Sequence, residues 1–133
     1  MVRGVSANSS DVRDLLAASA QDSRAAEAIE LFCYQAKKWI GAYAAAMGGL
    51  DALVFSAGIG EHSAEIRRRI CAGMEFLGIQ LDGKRNLAAT RENRKISTDD
   101  SQVVVRVIPT DEEIVIARTV CRLAGGGDTD AKR

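Results

Sequence analysis

Along one long stretch, apolar residues recur every three or four positions: Ala25, Ile29, Phe32, Ala36, Ile40, Tyr43 and Met47. That period lines them along one side of a helix and predicts one from about residue 23 to residue 47. Lys37 and Lys38 fall off the stripe, and Gly48-Gly49 supplies a stop. Ala42 and the run Ala44-Ala45-Ala46 make one end narrow enough to pack closely on a neighbour, which leaves a homodimer open. A shorter helix precedes it, opened by Ser9-Ser10-Asp11 and running to about Ser19. Ser10 can cap it, and Asp11 and Asp14 suit its positive end.

The pattern then changes period. Ala52-Leu53-Val54-Phe55 is a short apolar run between turn residues, which predicts a strand buried on both faces, as in a parallel sheet. Gly58-Ile59-Gly60 breaks it, and a helix is predicted from about Ser63 to Phe76 with Ile66, Ile70, Met74 and Leu77 inward. Arg67, Arg68 and Arg69 are consecutive, fan around that helix and read as a solvated face. Gly78 stops it. Residues 79 to 98 form a polar excursion with weak strand signals at 79–81 and 95–97. Val103-Val104-Val105-Arg106-Val107-Ile108, dense in β-branched residues, is the strongest strand. Pro109-Thr110 closes it, and a last helix is expected from about 111 to 124. Gly125-Gly126-Gly127 ends that helix, and residues 125–133 read as a disordered tail.

Two buried strands joined through a helix imply a parallel crossover. Two strands alone cannot make a stable sheet with helices on both sides. The fold class is therefore α/β with an incomplete sheet flanked by helices, one part of a larger unit.

Composition narrows the function. The 133 residues make one domain at most, and 47% of them are apolar, which argues against disorder. Lys and Arg total 18, as do Asp and Glu, so the chain lacks the basic surplus of a nucleic-acid binder. No apolar run approaches the roughly 18 residues of a membrane span, and Met1-Val2-Arg3-Gly4 is no signal peptide, so a cytoplasmic setting is the expectation. Cys33, Cys71 and Cys121 sit far apart in apolar helical stretches and read as small buried hydrophobes.

In an open parallel sheet, ligands bind beyond the carboxyl ends of the strands. The first strand is followed there by Ala57-Gly58-Ile59-Gly60-Glu61-His62, the second by Thr110-Asp111-Glu112-Glu113. Parallel strands put both on one edge, so a glycine loop and a carboxylate cluster would share a crevice. Gly58 and Gly60 allow close backbone approach to phosphate. An ordinary strand-to-helix turn explains them equally well, and the segment matches neither the dinucleotide fingerprint nor a P-loop. Thr110-x-x-Glu113 is a capping box, which occupies Glu113 and leaves Glu112 as the spare carboxylate. Mg²⁺ asks for one or two carboxylates plus waters and phosphate oxygens, and Glu112 suits that demand. His62 lacks a partner for catalysis and reads as a turn or cap residue; Asp11 and Arg13 read as an exposed pair.

Three segments carry a resemblance: "SANSSDVRDLL" at 6–16, "DALVFSAGIGEHSAEIRRRICAGMEF" at 51–76 and "PTDEEIVIAR" at 109–118. In that order they closely resemble the C-terminal part of acetate kinases, across about residues 4 to 124. The resemblance implies a partial ribonuclease-H-like fold of the acetate and sugar kinase, heat-shock ATPase and actin superfamily. It implies ATP/ADP and Mg²⁺ as cofactors, a small carboxylic acid as substrate, and phosphoryl transfer giving acetyl phosphate. It places Asp11-Val12-Arg13 and Gly58-Ile59-Gly60-Glu61-His62 at the nucleotide site and Glu112 at the magnesium. His62 stands where the family usually has asparagine, and Ala7 where it has glycine; Ser63 is expected to take over the capping. The family's N-terminal domain, with the groups nearest the transferred phosphoryl, is not in this sequence. No catalytic residue is therefore assigned, and the chain alone is expected to be inactive. The rival reading is a non-catalytic remnant acting as an interaction module.

Overall fold

The computed structural model describes residues 11–89, 94–110 and 119–121. The predicted segments from 111 to 118 and from 122 to 133, with Glu112, Glu113 and the tail, lie outside the described residues, as do Ala7 and Ser10.

Helix α1 spans Val12–Ala18 and α2 spans Ser23–Met47. The caps of both are aspartates: Asp11 accepts from the Arg13 amide and Asp22 from the Arg24 amide. The observed cap of the first helix is Asp11, where Ser10 was expected. Gly48 ends α2 in the left-handed conformation (φ 77°), as a glycine at that position allows. Helix α2 buries Ala25, Ala28, Ile29, Cys33 and Ala44, whereas Tyr43 and Met47, expected on its inner stripe, are exposed.

Strand β1 (Ala52–Ser56) and strand β2 (Val104–Ile108) pair in parallel, with Leu53 opposite Val105 and Phe55 opposite Val107. They form a two-stranded sheet. Strand β2 alternates, with Val105 and Val107 inward. The expected burial of β1 on both faces does not hold: Phe55 is buried, but Val54 is 47% exposed. On its far side β2 meets a single antiparallel bridge, Lys95 with Arg106, and a second isolated bridge joins Leu81 to Ser97.

Between the strands, among the described residues, lie three α-helices and a 3₁₀ turn. Helix α3 (Gly58–His62) replaces the expected open glycine loop, and α4 spans Ala64–Cys71. Ser63 caps α4 by accepting from the Ile66 amide at 3.2 Å, as anticipated. The helix stops five residues before Phe76, because the backbone turns at Ala72 and Gly73 (φ 76°) and continues as a 3₁₀ turn, Glu75–Leu77. The expected inner residues Ile66, Ile70 and Met74 are buried nonetheless. Helix α5 (Gly83–Leu87) sits inside the supposed polar excursion, capped by Asp82, whose carboxylate accepts from the Lys84 and Arg85 amides.

The core is one cluster. Ile29 of α2, Ile66 of α4, Ile79, Ile96, Val103, and Val105 of β2 are its largest fully buried apolar side chains. α1 packs on α2, α2 on α4, and α4 on α5. Cys33 and Cys71 are buried, whereas Cys121 is exposed and is not the buried hydrophobe expected. Residues 119–121 are helical. No described helix is long and apolar enough to cross a membrane.

Candidate functional site

Parallel pairing carries the chain past Ser56 and past Ile108 on the same edge of the sheet. The Glu61 carboxylate closes that edge: its Oε2 accepts from the Thr110 amide at 3.2 Å. The glycine segment after β1 is thereby tied to the chain that follows β2 and leads toward Glu112.

Against this edge lies the start of α1. A cleft of about 560 Å³ is lined by Asp11, Val12, Arg13, Gly58, Ile59 and His62. Two segments some 45 residues apart in sequence, each singled out as a nucleotide-site candidate, therefore share one concavity. Gly60 and Glu61, the other two candidates, do not line it. Glu61 and His62 face a second cavity of about 270 Å³ together with Arg67, Val107 and Pro109.

Within the cleft, Arg13 is held by Asp11. The Asp11 carboxylate accepts from the Arg13 amide (2.8 Å), from Nε (3.3 Å) and from Nη2 (2.9 Å). These bonds, the side-chain ones foremost, hold the Asp11 carboxyl below its usual range. Both side chains are exposed, so the pair orients the guanidinium and adds little stability. His62 Nδ1 lies 2.8 Å from the Gly58 carbonyl. A carbonyl only accepts, so Nδ1 carries the hydrogen, and the ring serves the turn role expected of it. Its Nε2 is 3.9 Å from Glu61 Oε1.

The backbone entering this segment is strained. Ala57, at the junction of β1 and α3, has φ 55° and ψ 151°, a region that side-chain-bearing residues rarely occupy. It makes no side-chain cap bond to α3.

The residue that sequence reasoning missed is Arg67. Its expected place is a solvated face, yet it is 3% exposed. Its Nη1 donates to the carbonyls of Gly60 (3.0 Å) and Glu61 (2.7 Å). Its Nε donates to Asn86 Oδ1 (2.8 Å) and its Nη2 to the Asn86 carbonyl (2.8 Å). Asn86 in turn donates to the Ala64 carbonyl at 2.8 Å. Burial pushes the guanidinium's pKa down. The signal was present in the spacing: Arg67 stands three and four residues before Ile70 and Cys71, on the buried side of α4. Its two neighbours behave as expected of surface arginines, both reaching Glu65.

Among the described residues, no group of three acidic, histidine or cysteine side chains could cage a metal ion. A magnesium ion that keeps waters and phosphate oxygens needs no such cage.

A sequence model of the acetokinase family matches residues 1–118. An acetate kinase from Rhodopseudomonas palustris is 53% identical over 124 residues, which are 93% of this chain and 30% of that protein. The crystal structure of Porphyromonas gingivalis acetate kinase superposes with a TM-score of 0.81 at 44% identity, covering 92% of this chain and 31% of that one. A propionate kinase from Francisella tularensis gives a TM-score of 0.76 at 34% identity, over 88% of this chain and 29% of its own. The chain thus spans about 30% of the length of the relatives it matches.

Proposed function

The chain belongs to the acetokinase family, and from that premise we propose that it forms the nucleotide side of an acetate-kinase-type phosphotransferase. In the complete enzyme the reaction is phosphoryl transfer between ATP and acetate, giving ADP and acetyl phosphate. The supporting observation is the shared cleft: Asp11, Val12 and Arg13 meet Gly58, Ile59 and His62 around about 560 Å³, a volume that suits a small-molecule ligand. Arg13, pre-oriented by Asp11, supplies positive charge for phosphate oxygens, and Gly58 lets the backbone come close to the ligand. Gly60 and Glu61 act from behind the cleft wall, where Glu61 joins the glycine segment to Thr110.

Glu112 is the residue we assign to Mg²⁺, two positions beyond the Thr110 amide that Glu61 holds. The ion's chemistry there is neutralisation of phosphate charge. The chain's own residues hold and orient the nucleotide. The acid-binding pocket and the groups around the transferred phosphoryl belong to the remaining length of the enzyme. We therefore propose that the 133-residue chain alone makes no acetyl phosphate.

The experiment is a titration of the isotope-labelled chain with ADP and Mg²⁺. Saturable shifts centred on residues 11–13 and 58–62 are expected, together with loss of affinity in Arg13→Ala. Shifts elsewhere, or none, reject the reading. In the same titration Glu112→Gln raises the magnesium needed and Glu113→Gln does not; the opposite result moves the assignment by one residue. A hydroxamate assay of the chain alone is expected to read zero, and acetate-dependent turnover refutes the inactivity.

A second reading, an interaction module, is favoured by one observation. Tyr34, Trp39, Tyr43 and Met47 are all exposed on α2, with Trp39 and Tyr43 stacked at 5.9 Å between ring centres. Such a surface suits a homodimer or a protein partner.

A further inference from the structure

Helix α3 is five residues long, too short to hold itself by its own hydrogen bonds. Its entry is strained at Ala57, and its exit carbonyls, Gly60 and Glu61, belong to the last turn, where a helix leaves acceptors without intrahelical donors. Both of those carbonyls accept from one nitrogen of Arg67. The rest of that guanidinium is fixed by Asn86 on α5, and Asn86 is itself fixed to α4 through the Ala64 carbonyl. Arg67 and Asn86 are each 3% exposed, so this is a buried polar network with its bonds made inside the protein. A fork of donors in a fixed plane does this; a single ammonium cannot reach both sides at once.

All four of those acceptors are neutral. Arg68 pairs with Glu65 and Arg69 with both Glu65 and Glu30, and no described carboxylate forms an ion pair with Arg67. A guanidinium is expensive to bury on carbonyls alone, and an apolar residue of similar volume would often serve stability as well. What only the arginine does is set the position of residues 60 and 61, and so of Gly58, Ile59 and His62 on the cleft side of the same turn.

We infer that Arg67 is a positioning residue for the nucleotide: it acts through the Gly60 and Glu61 carbonyls to hold segment 58–62 in the shape that lines the cleft. The inference rests on the nucleotide reading of that cleft. It also gives α5, in the stretch without sequence pattern, a purpose, since that helix carries Asn86, the backstop of the clamp.

The test uses the whole chain with Arg67→Lys, which keeps the charge and loses the fork. Ile79→Val is the control, removing one buried methylene outside segment 57–67. Two quantities are read: hydrogen exchange of the Glu61 and Ser63 amides, which bond to Ala57 and Ile59 within this turn, and ADP affinity. Arg67→Lys is expected to speed exchange at those two amides at least tenfold beyond any change at the amides of β2, and to weaken ADP about tenfold. Ile79→Val is expected to change neither beyond its global effect. Uniform acceleration across β2 and α3, or unchanged ADP affinity with a loosened turn, overturns the inference. If Arg67→Lys does not fold, Asn86→Ser is read the same way, with a smaller change of the same sign. Failure of the unaltered chain to bind ADP rejects the nucleotide reading instead; exchange then decides the clamp alone, selective loosening supporting it and uniform loosening overturning it.

Discussion

The two sides of this molecule are finished to different standards. Around α3, α4 and α5, a buried arginine and a buried asparagine have found partners for their polar atoms, and Ile66 is wholly enclosed. On the outer side of α2 and along β1, Trp39 (56%), Met47 (65%) and Val54 face outward as though a further layer belonged there. The first side is built like an interior. The second is built like an interface, which suits a chain spanning about 30% of its relatives. The candidate segment 58–62 lies on the finished side, and a ligand site needs backbone held in place by a second ring of contacts.

The largest expected effect tests that contrast directly. Ile66→Ala should cost about 3 kcal/mol, by lost transfer energy and a residual cavity, whereas Met47→Ala should cost less than about 0.5 kcal/mol. Urea unfolding of both variants measures it, and equal losses would erase the distinction between the two sides.

Ala57→Gly comes next. Glycine relieves the positive-φ strain, offset in part by its greater freedom in the unfolded chain, so melting should show about 1 kcal/mol of added stability. A destabilised variant would mean that Ala57 is not strained.

Acid probes the contacts between α2 and α4. Glu65 accepts from Arg68 and Arg69, which bring its carboxyl from 4.5 to about 2, and Arg69 also reaches Glu30 on α2. A depressed folded-state value means that this contribution is complete above about 4.5 and is lost as pH falls toward 2. The carboxylate is partly exposed, so screening keeps the contribution below about 1 kcal/mol. Melting temperatures of the unaltered chain and Glu65→Gln should converge between pH 4.5 and 2; parallel curves would remove Glu65 from the account.

The smallest effect on stability, yet the sharpest on assembly, belongs to the open side. Trp39→Gln with Met47→Gln should move stability by less than about 0.5 kcal/mol while abolishing self-association in sedimentation. A chain that stays monomeric before substitution would leave that face without the association proposed for it.

The long helix was legible because its period repeats over many residues, and the two strands because each is a short apolar run between turn residues, the second dense in β-branched side chains. Residues 23–47 were placed to the residue. The failures share a cause: each depends on what lies beside an element rather than on its own period. Val54 reads as buried only if a neighbouring layer is supplied. Tyr43 and Met47 continue the stripe of α2 past the point where the described core ends. α5 is a single turn held by Asp82 and Asn86, too short to show a period. At the candidate site, Asp11 and Arg13 alone read as an exposed pair, and only the resemblance set them beside the glycine segment; what parallel strands predicted is the meeting of that segment with the chain after β2, made by Glu61 and Thr110. Arg67 was hidden inside a run of like residues, where charge suggested solvent and only spacing suggested the core.

The three thiols give the chain a ready-made reporter. Cys33 and Cys71 are enclosed, and burial pushes the Cys71 thiol up to about 12, so almost none of it is thiolate near neutral pH. Cys121 stands exposed in the helical residues 119–121. An alkylating dye should therefore attach at one place without mutagenesis, downstream of the strand whose end Glu61 grips. A fluorophore there would signal whether filling the cleft is felt on the far side of Thr110.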